Sequence, residues 1–154
     1  STTTLFTEGR YVENFNPAVD DYNIRNMLHV TLRKGGRPLH ILTHHGYHIP
    51  SHKNGDKKTY EHCRMIANYV AELEGDVVLA GDFNLSPRSE SLELINDVLV
   101  NACLTNNVLT TRTSLTPKTE VCDYMFTSRN IEVSSFAVLV EVISDHATLI
   151  MEVG

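Results

Sequence analysis

The stretch that most constrains this chain is Val77-Val78-Leu79-Ala80-Gly81-Asp82-Phe83-Asn84, where an apolar run passes without a break into an acid and an amide. Four or more consecutive apolar residues with no alternation predict a buried strand. Successive side chains on a strand face opposite ways, so Asp82 and Asn84 are expected on one face, with Phe83 anchoring the strand end in the core. Gly81 permits a bend or a close backbone approach. A carboxylate and an amide at such a strand end are oxygen ligands or hydrogen-bond partners for something bound there. They are equally a turn-favoured cap.

The flanking sequence supplies partners for that strand. Met27–Leu32 alternates, with Leu28, Val30 and Leu32 on one face; Lys34-Gly35-Gly36-Arg37 is a turn; and Pro38–Thr43 begins a second strand, together a β-hairpin. Tyr60–Leu73 carries Cys63, Ile66, Ala67, Val70 and Leu73 at helical spacing, with its polar face in solvent and Gly75 placed as its C-cap. A hairpin, a helix and a buried strand in that order predict a mixed sheet with helices on it. Towards the N-terminus, Ser1–Thr4 reads as frayed, and Tyr11–Phe15 as a short strand stopped by Asn16-Pro17. Beyond Asn84, a helix is predicted from Ser86-Pro87 with Leu92, Ile95 and Leu99 buried. Asn101–Thr119 reads mostly as loop, followed by strands over Val121–Phe126, Ile131–Val142 and Ala147–Val153.

Length and composition narrow the class. The 154 residues make one domain, residues 1–154. No apolar run approaches the ~20 residues that cross a bilayer. Three widely separated cysteines, Cys63, Cys103 and Cys122, suit buried thiols in a reducing compartment, hence a cytoplasmic location. The net charge of −6 argues against broad, sequence-independent nucleic-acid binding. It leaves a nuclease open, because a bound metal can supply the positive charge.

The titratable residues suggest chemistry without deciding it. His44, His45 and His48 crowd a strand end beside Gly46. They could ligate zinc, protonate a leaving oxygen, bind a phosphate, or belong to a polar loop. His29, His40, His52 and His62 read as exposed filler, and Arg112 as a surface cation or a contact for an anionic substrate. Asp123, among Cys122, Tyr124, Met125 and Phe126, is expected to be partly buried and therefore to need a partner. Asp145 and His146 can serve one site only if the backbone bends between them; otherwise they are a strand cap beside a histidine.

In sequence order, Thr43-His44, Gly81-Asp82-Phe83-Asn84, Asp123-Tyr124 and Ser144-Asp145-His146 together resemble the motifs of the endonuclease/exonuclease/phosphatase superfamily, from about residue 25 to the end. The resemblance implies an α+β sandwich, with mixed, mostly antiparallel sheets packed face to face and flanked by helices. It implies a divalent cation, Mg²⁺ or Mn²⁺, held by Asp145 with Asp82 and Asn84. It further implies a catalytic set of His44, Asp82, Asn84, Asp123 and His146. In that set Asp82 and Asn84 position water and phosphate, Asp123 orients His146 as base or phosphate ligand, and His44 contacts the phosphate or assists the leaving group. The family does not require zinc, which weakens that reading of His45 and His48.

The family also carries an earlier strand ending in Asn and a metal-binding Glu after a Gln. Neither is visible here, and Glu8 and Glu13 lack that context. The chain therefore resembles the C-terminal part of the fold, with the N-terminal portion absent. That implies a complementing N-terminal segment or self-association, and weak or no activity of the chain alone. The implied function is a metal-dependent phosphoesterase cleaving phosphodiesters, a nuclease first. A phosphatase or phosphodiesterase acting on a sugar- or lipid-phosphate is the alternative, and a non-catalytic binding module the third reading.

Overall fold

A computed structural model describes residues 1–16, 18–20, 23–139 and 141–154, without the side chain of Lys34. Strands β1 (Thr2–Glu8), β2 (Arg25–Lys34) and β3 (Arg37–His44) lead to helix α1 (Lys57–Ala71) and strand β4 (Asp76–Asp82). Helix α2 (Glu90–Asn96), the two-residue β5 (Val100–Asn101) and the short helix α3 (Ala102–Thr105) come next, followed by β6 (Asp123–Thr127), β7 (Val133–Leu139) and β8 (Thr148–Val153). Six strands form one mixed sheet in the order β1-β2-β3-β4-β6-β5, and β7 and β8 form a separate hairpin. The fold is α+β, as expected.

The apolar run is the centre of the sheet. β4 pairs in parallel with β3 and antiparallel with β6, so its backbone is satisfied on both edges. Val77, Leu79 and Phe83 point into the main core with Met27, Leu42, Tyr124 and Phe126, beneath Ile66 and Val70 of α1 and Leu92 and Ile95 of α2. Each such side chain contributes on the order of 1.5–3 kcal/mol by leaving water. Ala80 and Met125, on the opposite face, line a cavity of about 210 Å³ with Leu149 of β8, which places the hairpin over that end of the sheet.

α1 starts earlier than its apolar stripe, because Asp56 and Thr59 form a reciprocal capping box. It ends at Glu72 rather than at Gly75, whose positive φ of 126° instead lets it pass against the Pro38 carbonyl. α2 begins three residues after Pro87, and Leu92, Ile95 and Leu99 are buried as predicted.

The hairpin forms as expected, and the face carrying Leu28 and Leu32 is its outer one. Met27 and His29 are buried on the helix side, while Leu32 is 50% exposed and Leu28 lies on the outer face. The inward histidines are not filler. His40 Nε2 donates to the Glu74 carbonyl, which can only accept, so His40 Nδ1 accepts from His29 Nε2 at 2.8 Å. His29 Nδ1 then accepts from the Tyr69 hydroxyl at 2.8 Å. A polar group satisfied in this way can be buried at small net cost. His62 is likewise buried, stacked on Phe6 and beside Glu8.

Ser1–Thr4 is not frayed: Thr2–Glu8 is the edge strand β1, paired along β2. Tyr11–Phe15 forms no strand and turns at Glu13-Asn14. Pro17, its expected stop, and Val140, within the expected strand Ile131–Val142, lie outside the described residues. Cys63, Cys103 and Cys122 are free and buried. Among the described residues no helix is long and apolar enough to cross a membrane.

Candidate active site

Asp82 ends β4 and lies opposite Asp123 of β6 on the face away from the helices. The tight approach of β3 makes this possible. A Cβ on Gly81 would meet the His44 carbonyl oxygen at 1.9 Å, and one on Gly46 would meet the Phe83 carbonyl oxygen at 2.1 Å. Asn84 turns out of the strand with a φ of 55°, a conformation asparagine tolerates better than most residues. Its amide nitrogen donates to the Gly46 carbonyl at 3.2 Å, its backbone N–H to Asp82 Oδ1 at 2.8 Å, and its Oδ1 accepts from Lys53 Nζ at 2.5 Å.

The distal residues reach this point through one crossing of the chain. Thr113 N–H donates to the Asp145 carbonyl at 3.1 Å and Ala147 N–H to the Thr111 carbonyl at 2.9 Å, with Arg112 and His146 bridged between them. His146 Nδ1 lies 2.9 and 3.0 Å from the two oxygens of Asp123. Thr111, fully buried, donates its hydroxyl to Asp123 Oδ2 at 2.7 Å. A carboxylate can only accept, so Nδ1 carries the proton and Nε2 presents a lone pair. Asp82 Oδ2 and Asp145 Oδ2 are each 3.9 Å from Nε2, so the two carboxylates are no further apart than twice that.

A cavity of about 310 Å³ opens over these groups, lined by Arg25, His45, His48, Asp82, Asn84, Arg112, Lys118, Asp145 and His146. A larger one, about 470 Å³, lies by the N-terminal ends of α1 and α2, away from this cluster.

His44 does not line the site cavity. It is 3% exposed, donates Nδ1–H to the Asn26 carbonyl at 2.9 Å, and packs edge-on against Phe6, His62 and Phe83. Burial pushes its pKa down to about 4. Strand alternation is the reason: Thr43 and His44 face opposite ways, and His44 takes the core side. His45 is the histidine at the site, with Nε2 3.9 Å from Asp82 Oδ2. Thr111, Lys53 and Arg25 gave no sequence signal, and Arg112 only that of a lone cation in a Thr- and Asn-rich stretch.

The donors suit a hard cation. Asp82, Asn84 and Asp145 offer oxygens of the kind Mg²⁺ and Mn²⁺ take. Asp82, Cys122, Asp123 and His146 also bring ligand atoms within 4.8 Å of one another, the one such His/Cys/carboxylate group among the described residues. Burial raises the Cys122 pKa and keeps it a thiol, and both Asp123 oxygens are committed to His146 and Thr111. Zinc at His45 and His48 has no such cluster among the described residues.

Comparison with known proteins agrees with this fold. A search of curated proteins returns no match. An endonuclease/exonuclease/phosphatase of Bacteroides vulgatus superposes with a TM-score of 0.71 at 19% identity, over 100% of this chain and 65% of that one. A mannosyl-6-phosphatase of Bacteroides thetaiotaomicron gives 0.63 at 18% identity over 85% of this chain and 57% of its own. D. rerio TDP2, complexed with a single-strand DNA product, gives 0.64 at 17% identity over 84% and 61%. The chain thus spans about two thirds or less of the length of these structures. The family model described as Endonuclease/Exonuclease/phosphatase family matches residues 7–146, and with so much of its length matched the chain belongs to that family.

Proposed function

We propose that the site hydrolyses a phosphate ester with the help of a divalent cation, and that the bond cleaved is a phosphodiester, in a nuclease. The observation that carries this reading is the Asp123–His146 pair, with Nε2 3.9 Å from Asp82 Oδ2. Asp123, itself held by Thr111, fixes the imidazole in the tautomer whose Nε2 can accept a proton. The 3.9 Å between Nε2 and Asp82 Oδ2 is the span one water bridges when hydrogen-bonded to both. His146 takes the proton of that water, and Asp123 stabilises the imidazolium. His45 and Arg25, on the cavity wall, meet the phosphoryl oxygens. Asp82, Asn84 and Asp145 would hold a divalent cation, which would neutralise the charge building there. His44, buried in the core, is assigned no part in the chemistry.

A phosphatase or phosphodiesterase on a sugar- or lipid-phosphate is the second reading. It is favoured by the placement of Arg25, Arg112 and Lys118 on the cavity wall of a chain whose net charge is −6, an arrangement that rewards a locally bound phosphate over a long polyanion. The structures of similar fold include a phosphatase and a protein solved with a DNA product. The test measures hydrolysis of plasmid DNA, a single-stranded oligonucleotide, a bis-aryl phosphate and a hexose 6-phosphate, each with Mg²⁺, with Mn²⁺ and with EDTA. Metal-dependent cleavage of DNA abolished by Asp82→Ala is the expected result. Turnover of the monoester alone selects the second reading, and no turnover of any substrate together with no binding of Mg²⁺ or Mn²⁺ overturns both.

A further inference from the structure

Two of the three residues suited to the cation already have an oxygen held by the protein's own cations. Lys53 Nζ sits on Asn84 Oδ1 at 2.5 Å, and Arg112 NH1 sits 3.3 Å from Asp145 Oδ2. Arg112 is no loose surface arginine. Its side chain is 4% exposed, against 52% for Asp145, and its backbone is pinned by the bridge to His146. Its Nε is buried with no hydrogen-bond partner among the described residues. The same NH1 that contacts Asp145 also donates to His146 Nε2, so it covers the lone pair that the hydrolysis requires.

We propose that Arg112 is a tethered counter-ion for Asp145 and His146 that a divalent cation must displace, so that metal binding and uncovering of His146 are one event. This rests on the metal-dependent reading above. The physical reason is charge. A guanidinium within 3.3 Å of a ligand oxygen would stand a few ångströms from a doubly charged ion bound to the same oxygen, in a partly buried site where screening is weak. The two cannot share Asp145 at low cost. Displacement does not remove the guanidinium from the site: it stays tethered to a cavity wall that also carries Arg25 and Lys118, and its charge is then available to an anionic phosphate. Arg112 acts through Asp145 and His146, and is a positioning residue.

The test titrates Mn²⁺ into wild type, Arg112→Gln, Arg112→Lys and Asp82→Ala, following free Mn²⁺ by electron paramagnetic resonance. Arg112→Gln is expected to bind at least about 10-fold more tightly, because one unit of like charge beside the ion is gone. Arg112→Lys is expected to stay within a few-fold of wild type. Equal or weaker binding in Arg112→Gln, with binding still lost in Asp82→Ala, overturns the exchange and leaves the metal-dependent reading standing. No Mn²⁺ binding in either wild type or Arg112→Gln overturns both. A second measurement needs no variant: the Arg112 Nη resonances of the wild type, held by Asp145 and His146, should pass from slow to fast rotation on saturation with Mg²⁺. Unchanged Nη resonances at saturation also overturn the proposal.

Discussion

The burial of His44 predicts a loss of stability in mild acid whose size follows from its surroundings. Desolvation is the main cause of its lowered pKa, reinforced by His62, His45 and Arg25 and opposed by the hydrogen bond to the Asn26 carbonyl. In the unfolded chain the imidazole titrates near 6.5, and in the folded chain near 4. Above 6.5 both states are neutral and the group adds no pH dependence. Between 6.5 and 4 the unfolded state binds a proton that the folded state refuses, so stability falls by about 1.4 kcal/mol per pH unit. The full loss is about 3 kcal/mol, a large share of a typical domain's 5–15. Urea denaturation at pH 7, 6, 5 and 4.5 measures it. His44→Asn keeps a side-chain N–H for the Asn26 carbonyl and cannot titrate, so its stability should fall less steeply by the slope of one proton. His29, lowered by burial and by His40, adds to the slope in the same direction in both proteins. Identical slopes in wild type and variant would refute the reasoning, since His44 would then be titrating freely in the folded state.

Three further outcomes follow from the site and its scaffold. Asp123→Asn should lower kcat by roughly 10- to 100-fold, the usual cost of losing a carboxylate that orients a site histidine. The fold should stay intact and the acid limb of the pH–rate profile should move, which steady-state kinetics from pH 5 to 9 would show. His45→Ala should lower kcat/KM by roughly 5- to 10-fold, the worth of one neutral hydrogen bond. Its melting temperature should stay nearly constant, whereas His44→Ala should melt markedly lower, because it empties a core position. Gly81→Ala should cost more than about 3 kcal/mol in a chemical denaturation experiment, since its Cβ would lie 1.9 Å from the His44 carbonyl oxygen and its φ is 156°.

The parts legible in the sequence were those that local pattern determines. An unalternating apolar run has no polar face to offer, so Val77–Ala80 could be read as a buried strand without knowing its neighbours. Alternation in Met27–Leu32 specified two faces but not which one meets the core. The apolar-looking face, Leu28 and Leu32, lies outward, because Met27 fills the core and His29 hydrogen-bonds inward to Tyr69 and His40, a pairing that no window of sequence displays. The same parity decides between His44 and His45, adjacent residues of one type on opposite sides of a strand. Asp82, Asn84, Asp123, Asp145 and His146 were recognisable as short motifs in order. Thr111 and Arg112 were not, because their significance comes from pairing at a distance, Thr111 with Asp123 twelve positions later and Arg112 with Asp145 and His146 more than thirty positions later, in a stretch with no periodicity of its own.

That pairing also divides the site by rigidity. Asp82 ends a strand laddered on both sides, and Asn84 stands two residues beyond it. Asp145 and His146 are tied in at the backbone by the single bridge to Arg112 and its two flanking hydrogen bonds. Opening that crossing costs far less than unfolding the sheet, and the amides of Thr113 and Ala147 should exchange with solvent well before that of Leu79. Each such opening carries half of the site away while the other half stays fixed. Catalytic competence is therefore a property of a sub-global unit, and on heating it should disappear some degrees before the fold does.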